Sequence, residues 1–196
     1  MKNLRKLKGD ASFRKFYRKE NKNFSSIIVF AKKEKLKNLI IYDAINKLLR
    51  KNKILAPNLY KENYREGYIE IQDFGNETIF KILNNKKNNK TYYLKKIIKI
   101  LNQIQLIKDT KIKNFKKANY VIPKYDSNIL IKEANLFCDW YAKKKLSKKN
   151  IKIFARKFKK IVKTLTLNLQ LKNNVFVHRD FHVSNLMLVG NKIGLI

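Results

Sequence analysis

Val175-Phe176-Val177-His178-Arg179-Asp180-Phe181-His182-Val183-Ser184-Asn185-Leu186-Met187-Leu188-Val189-Gly190-Asn191-Lys192-Ile193-Gly194-Leu195-Ile196 is the most informative run of the chain. Three apolar residues lead into His178-Arg179-Asp180. Asn185 follows five positions after Asp180. Leu186 to Val189 read as a short buried strand. Gly190-Asn191 is a two-residue turn of the kind that closes a hairpin, and Lys192 to Ile196 form the return strand.

Phosphoryl transfer from a nucleotide needs a carboxylate to accept the proton of the attacking hydroxyl. It also needs an oxygen ligand for the magnesium that bridges the phosphates. Asp180 can be the first and Asn185 the second, because four residues between them let both point at one phosphate. The pattern resembles the catalytic loop of protein kinases, His-Arg-Asp with an Asn five residues after the Asp. Its wording, His-Arg-Asp-Phe-His-x-x-Asn-Leu-Met, is closer to the aminoglycoside phosphotransferase family, small-molecule kinases on a protein-kinase-like fold. Within that family it most resembles the bacterial N-acetylmuramate/N-acetylglucosamine kinases of cell-wall recycling. The resemblance implies Asp180 as catalytic base and Asn185 as magnesium ligand, with His178 and Arg179 shaping the loop.

The start of the chain carries a second resemblance. Residues 7–18 read as strand, tight turn, strand, with Gly9-Asp10 supplying the turn. Gly9-Asp10-Ala11-Ser12-Phe13-Arg14, followed by paired aromatics and Arg18, is similar to the N-terminus of the sugar-kinase group. By that resemblance residues 9–14 cover the nucleotide phosphates. Ser25 to Lys32 form a β-rich apolar strand. Lys32 then has two readings, a phosphate-pairing lysine or one member of a solvated run with Lys33 and Lys35. Glu34 to Lys51 repeat apolar residues at helical spacing, and Asp43 or Glu34 is the available acidic partner for Lys32. Two more strands follow, Asn58-Leu59-Tyr60 and Tyr68 to Phe74, around a turn ending at Gly67. Gln72-Asp73-Phe74-Gly75 precedes the catalytic loop by about a hundred positions, whereas the magnesium-binding Asp-Phe-Gly of protein kinases follows theirs. It resembles instead the hinge of the sugar-kinase group, where a strand ends in Glu-Asp-Leu-Gly. Gln72, Asp73 and Phe74 are therefore assigned to the adenine edge and not to metal.

Beyond Thr78 the pattern is helical. Leu94, Ile97, Ile98, Leu101 and Ile104 form one stripe. Ser127 or Asp126 caps a helix with the face Leu130, Ala134, Phe137, Cys138 and Tyr141. That helix carries Glu133, Asp139 and Trp140. A Trp beside a carboxylate suits a sugar, the ring stacking on C–H faces while the acid bonds hydroxyls. A half-buried Trp near a helix end accounts for it equally well. The resemblance to the sugar-kinase group extends to these residues and, with His182, places them on the acceptor side. Ile151 to Leu171 is a further helix, with Phe154, Phe158, Ile161, Val162, Leu165 and Leu169 on one face. The resemblance makes it a buried helix beneath the catalytic loop.

Composition sets the remaining bounds. The chain has 196 residues and a formal charge of +33, from 47 basic and 14 acidic residues. Such a charge usually points to nucleic acid or an anionic membrane. Here Lys, Asn and Ile are in excess together, which suggests an A/T codon bias, and Lys is spread along the whole chain. The charge is therefore read as a solvated surface that attracts anions such as ATP, and nucleic acid is not the expected partner. The single Cys138 excludes an intrachain disulfide and reads as a small core residue in a reducing compartment. No signal peptide is visible, and no run approaches the ~20 apolar residues that span a bilayer. A cytoplasmic protein is expected.

The expected fold is α+β, protein-kinase-like and bilobal: a mainly β N-lobe over 1–74 with one helix, and an incomplete helical C-lobe over 75–196. The expected function is ATP- and Mg2+-dependent phosphorylation of a small-molecule hydroxyl, in particular of an N-acetylated amino sugar. Aminoglycoside, choline and homoserine acceptors are the alternatives within the family. A basic nucleic-acid binder or an inactive kinase-like scaffold is the alternative outside it. By the resemblance, a second magnesium-binding Asp belongs directly after Ile196, so the chain is expected to be an inactive fragment. Oligomeric state is left open.

Overall fold

The structure is a computed structural model that describes residues 4–7, 14–22, 24–169 and 175–196. The predicted Gly9–Phe13 turn and the end of the helix predicted to reach Leu171 lie outside the described residues. The chain divides into two compact units, residues 1–122 with 178–196, and residues 123–177. The boundary expected at residue 74 falls inside the first unit.

The first unit is built on a five-stranded antiparallel sheet. Its strands are β1 (Leu4–Lys6), β2 (Arg14–Asn21), β3 (Phe24–Ala31), β4 (Leu59–Asn63) and β5 (Tyr68–Gln72), in the order β1-β2-β3-β5-β4. The run Ile27-Ile28-Val29 lies in the central strand, and all three are buried. A run apolar on both faces suits a strand covered on both sides. Between β3 and β4 the chain makes a 3-10 turn over Lys33–Lys35 and then helix α1 (Lys37–Lys51). The single helix expected from Glu34 thus starts three residues later, after Leu36. Ile27, Val29, Ile69 and Ile71 of the sheet pack with Leu39 and Tyr42 of α1 into one core.

Two helices follow, the short α2 (Ile79–Asn84) and the longer α3 (Lys90–Gln105), with Thr78 and Asn89 accepting the N-cap hydrogen bonds. Of the α3 stripe only Ile97 and Ile104 are buried, while Leu94, Ile98 and Leu101 are exposed. A hairpin of β6 (Lys111–Lys113) and β7 (Asn119–Val121) was not anticipated. The last hairpin, β8 (Leu186–Val189) and β9 (Lys192–Leu195), forms as read from the sequence. Gly190, at φ 57°, occupies the left-handed conformation that the turn requires. The hairpin is tied to the sheet side of its unit: Leu195 N–H donates to Leu55 O at 2.8 Å and Leu188 N–H to Glu77 O at 2.8 Å.

The second unit holds α4 (Ser127–Leu136), a π-helical turn over Phe137–Ala142, the short α5 (Lys143–Lys145) and α6 (Lys148–Asn168). Asp126, not Ser127, caps α4 by accepting from Ile129 N–H at 3.1 Å. The π turn inserts a residue into the helical repeat, so the expected face does not continue. Cys138 and Ala142 are buried, whereas Phe137 and Tyr141 are exposed. Phe137 stacks on Tyr141 and packs against Phe154 and Phe158 of α6. α6 is present, but Thr166 is its one buried residue among those described, and Ile161, Leu165 and Leu169 are exposed. The expectation of a buried helix is corrected: spacing defines an apolar face but not what covers it.

Candidate active site

The loop before β8 is shaped by its own backbone. Arg179 adopts φ 68°, a left-handed conformation uncommon for a side chain of this size. Val183–Asn185 then form a 3-10 turn, entered with Ser184 N–H donating to His182 Nδ1 at 3.3 Å. Asn185 Nδ2 donates to Asp180 Oδ2 at 2.8 Å and to the Asp180 carbonyl at 3.1 Å. His182 Nε2 lies 3.2 Å from Asp180 Oδ1. Because Nδ1 of His182 accepts, a neutral ring carries its proton on Nε2 and donates it to Asp180. Both carboxylate oxygens of Asp180 therefore meet donors, and the carboxylate still faces solvent. His178 stands edge-on to Phe181, with its Nδ1 buried and unpartnered among the described residues. Burial pushes the His178 pKa down, Asp180 opposes that shift and His182 adds to it.

Asp180 lines a cavity of about 400 Å³ within the first unit. Phe16 and Ile27 of the sheet, Ile71, Gln72 and Phe74 of the strand end, and Met187 of β8 form much of its apolar wall. Arg14, Arg18, His182, Ser184 and Asn185 are polar lining residues beside Asp180. An apolar slot with few convergent polar groups is the usual form of a small-molecule site. A second cavity, about 320 Å³, shares Arg14, Tyr42 and Asp180 with it.

The segment after β5 is held by Arg18. This side chain, 4% exposed, pairs with Asp73, donates to Gly75 O at 2.7 Å and bonds the Asn76 side chain. Asp73 Oδ1 also accepts from Gly75 N–H at 2.8 Å. Phe74 lies over Gly194: a β-carbon at residue 194 would stand 2.6 Å from the ring. The return strand thus needs glycine there to seat the Phe74 side chain.

The family model described as the phosphotransferase enzyme family matches residues 3–196. The chain belongs to this phosphotransferase family. It is 25% identical over 187 residues to an N-acetylmuramate/N-acetylglucosamine kinase of Neisseria meningitidis serogroup B, covering 95% of this chain and 53% of that protein. A Pseudomonas putida protein of the same name is 25% identical over 178 residues, covering 91% and 49%. The chain spans about half the length of these curated relatives. Among solved structures, the streptomycin-ATP-APH(2")-IIa ternary complex superposes with a TM-score of 0.66 at 14% identity, covering 100% of this chain and 65% of that one. Plasmodium vivax ethanolamine kinase gives 0.59 at 15%, covering 99% and 55%. The fold is α+β and kinase-like.

On this phosphotransferase fold the site residues expected from sequence divide into groups. Asp180, Asn185, His182, Arg14, Gln72 and Phe74 all line the larger cavity. Asp73 is turned to Arg18 instead. Lys32 is exposed, just ahead of the 3-10 turn, and is not among the cavity's lining residues. Asp43, offered as its partner, is buried and pairs with Lys47 at 2.9 Å, while Glu34 is exposed. Glu133, Asp139 and Trp140 belong to the second unit. Glu133 accepts from the Tyr125 hydroxyl at 2.6 Å, and Asp139 and Trp140 are exposed on the π turn. Gly9–Phe13 lie outside the described residues. The roles of Arg18 and Tyr42 escaped the sequence reading, although the Arg-x-x-x-Arg spacing on β2 puts both arginines on one strand face.

The donor set also suits a hard cation. With its amide nitrogen bonded to Asp180, Asn185 keeps its carbonyl oxygen for a metal. Among the described residues no group of three or more His, Cys, Asp or Glu could hold a metal alone. Magnesium commonly uses one or two protein ligands plus substrate phosphates, so the Asn185 carbonyl oxygen fits it.

Proposed function

We propose that the chain carries the catalytic centre of an ATP- and magnesium-dependent kinase for a small-molecule hydroxyl, in particular that of an N-acetylated amino sugar. One observation carries the reading. Asp180, held on both carboxylate oxygens by Asn185 and His182, lines a cavity that is also lined by the apolar Phe16, Ile27, Ile71 and Phe74 and by Gln72 and Gly75. The adenine lies in the apolar slot and the phosphates on the polar side. The acceptor hydroxyl gives its proton to Asp180 as its oxygen bonds the γ-phosphorus; the bond to the departing ADP breaks, and the proton later leaves Asp180 for solvent. Asn185 would hold magnesium, which when bound would supply charge neutralisation. Positioning of the hydroxyl by a carboxylate bonded to Asn185 and His182 supplies the rest.

The amino-sugar acceptor is supported by the names of the two curated relatives. His182, beside Asp180, is assigned to the acceptor; within the second unit the exposed Trp140 ring has the chemistry to stack on a sugar face, and Asp139 and Glu133 that to bond hydroxyls. Among the described residues no helix is long and apolar enough to cross a membrane. We place the protein in the cytoplasm, in keeping with the free Cys138.

The test is a panel of acceptors with ATP and magnesium, run on the full-length gene product and read by mass spectrometry of the product. N-acetylmuramate and N-acetylglucosamine are expected to gain one phosphate. Turnover of an aminoglycoside, choline or homoserine without either sugar would overturn the acceptor and keep the kinase. Asp180→Asn is expected to cut transfer by at least about 100-fold.

A further inference from the structure

We infer that the basic face of α6 is a docking surface for an anionic lipid bilayer. The inference goes beyond the kinase reading and does not depend on it. Eleven of the twenty-one residues from Lys143 to Lys163 are Lys or Arg, and no Asp or Glu stands between Asp139 and Asp180. Lysine is spread over the whole chain, but the fold sorts it here. The eight cations of α6, from Lys148 to Lys163, are all exposed. At ~100° per residue, all but Lys157 fall within about 120° of the helix circumference. At ~1.5 Å per residue, they form a stripe about 22 Å long. Elsewhere acids answer surface cations, as Glu20 does Arg5, Glu70 does Lys19 and Asp109 does Lys51. Among the described residues none of the eight joins an ion pair.

Two features favour lipid over the other common polyanion, nucleic acid. First, exposed apolar side chains adjoin the stripe. Ile153, 48% exposed, borders it one turn from Lys149 and Arg156, and Leu167, 65% exposed, continues it one turn beyond Lys163. A phosphodiester backbone offers these side chains nothing, whereas the boundary between headgroups and acyl chains buries them. Second, no aromatic ring stands in the stripe to stack on a base. Phe154 and Phe158 lie on the other side of α6 and pack with Phe137. Lysine also suits a lipid surface, because its methylene stem rests on apolar groups while the ammonium reaches phosphates. A cluster of about four to eight cations on an amphipathic helix is the usual form of such a surface. Unpaired Lys and Arg are almost never fully buried, so this face stays exposed in the full-length gene product. The opposite side of the helix, with Ile161 and Leu165, is no part of the proposal.

The experiment is co-sedimentation of the 196-residue chain with vesicles of phosphatidylcholine, alone or mixed with phosphatidylglycerol, over a range of salt. The wild type is expected to bind the anionic vesicles about 100-fold more tightly at low salt and to lose that preference as salt rises. Lys152→Gln/Arg156→Gln/Lys159→Gln should weaken binding about 10-fold or more. Lys86→Gln/Lys87→Gln/Lys90→Gln removes equal charge from the start of α3 and the loop before it, and should weaken binding less than about 3-fold. Ile153→Ser should weaken it about 3-fold. A wild type indifferent to the anionic lipid, or equal losses in the two triple variants, would overturn the inference. Binding unchanged by Ile153→Ser, or tighter binding to a duplex oligonucleotide than to the vesicles at the same salt, would overturn the lipid as partner. Circular dichroism checks that each variant is folded. If the α6 variant unfolds, hydrogen exchange of the wild type decides. Anionic vesicles should protect residues 148–167, and protection confined to other segments would overturn the proposal.

Discussion

Arg18 Nε and Asp73 Oδ2 stand 2.5 Å apart in an ion pair whose side chains are 4% and 3% exposed. They join β2 to the segment after β5 across fifty-five positions of sequence. Removing one partner of a buried pair leaves the other charge desolvated and alone. Arg18→Met or Asp73→Asn is therefore expected to cost about 3–5 kcal/mol in urea denaturation. Replacing both with apolar residues, Arg18→Met with Asp73→Leu, should recover most of that loss. A loss in the double variant equal to the sum of the singles would contradict the pairing.

Gly194 is expected to resist substitution for a steric reason. A methyl group there meets the Phe74 ring at 2.6 Å and Leu55 at 3.2 Å. Gly194→Ala should destabilise by about 1–3 kcal/mol, the usual range for overpacking. Shrinking the ring in Phe74→Leu/Gly194→Ala should return part of it. Denaturation midpoints of the two variants check this.

Much of this arrangement was legible in the sequence, and the reasons differ by element. β8 and β9 were readable because the apolar runs flank Gly190-Asn191, and turn chemistry acts over neighbouring residues. Ile27-Ile28-Val29 announced a buried strand in the same local way. The β6–β7 hairpin was missed because Lys111–Lys113 and Asn119–Val121 are short and polar-rich, and the turn's left-handed residue is Lys117, not glycine. The π turn was missed because one inserted residue leaves no mark on composition. Arg18 with Asp73 and Arg14 on the Tyr42 ring depend on contacts between distant segments, which no local pattern encodes. The loop before β8 was the exception among candidate-site features, since Asp180 and Asn185 are five positions apart and bond each other directly.

His178 gives the stability a pH dependence. Its pKa is lowered from 6.5, chiefly by burial, so the unfolded chain takes up the proton first. Its stabilising contribution is present above about pH 6.5 and is lost as pH falls toward the folded-state value. Glu70 and Asp109 also have lowered values, but from 4.5 and 3.8, so their contributions fade at lower pH. Melting temperatures should fall between about pH 7.5 and about pH 5.5, and His178→Gln should flatten that slope. A slope unchanged by His178→Gln would remove His178 as its source.

The central claim is that Asp180 and Asn185 face a magnesium–nucleotide in the larger cavity. The most direct measurement is the affinity for ATP with and without magnesium in the wild type, Asp180→Asn and Asn185→Ala. The account predicts tighter binding with magnesium in the wild type, a magnesium effect largely lost in Asn185→Ala, and ATP binding retained in Asp180→Asn. ATP affinity indifferent to magnesium in the wild type, or a magnesium effect untouched by Asn185→Ala, would contradict it.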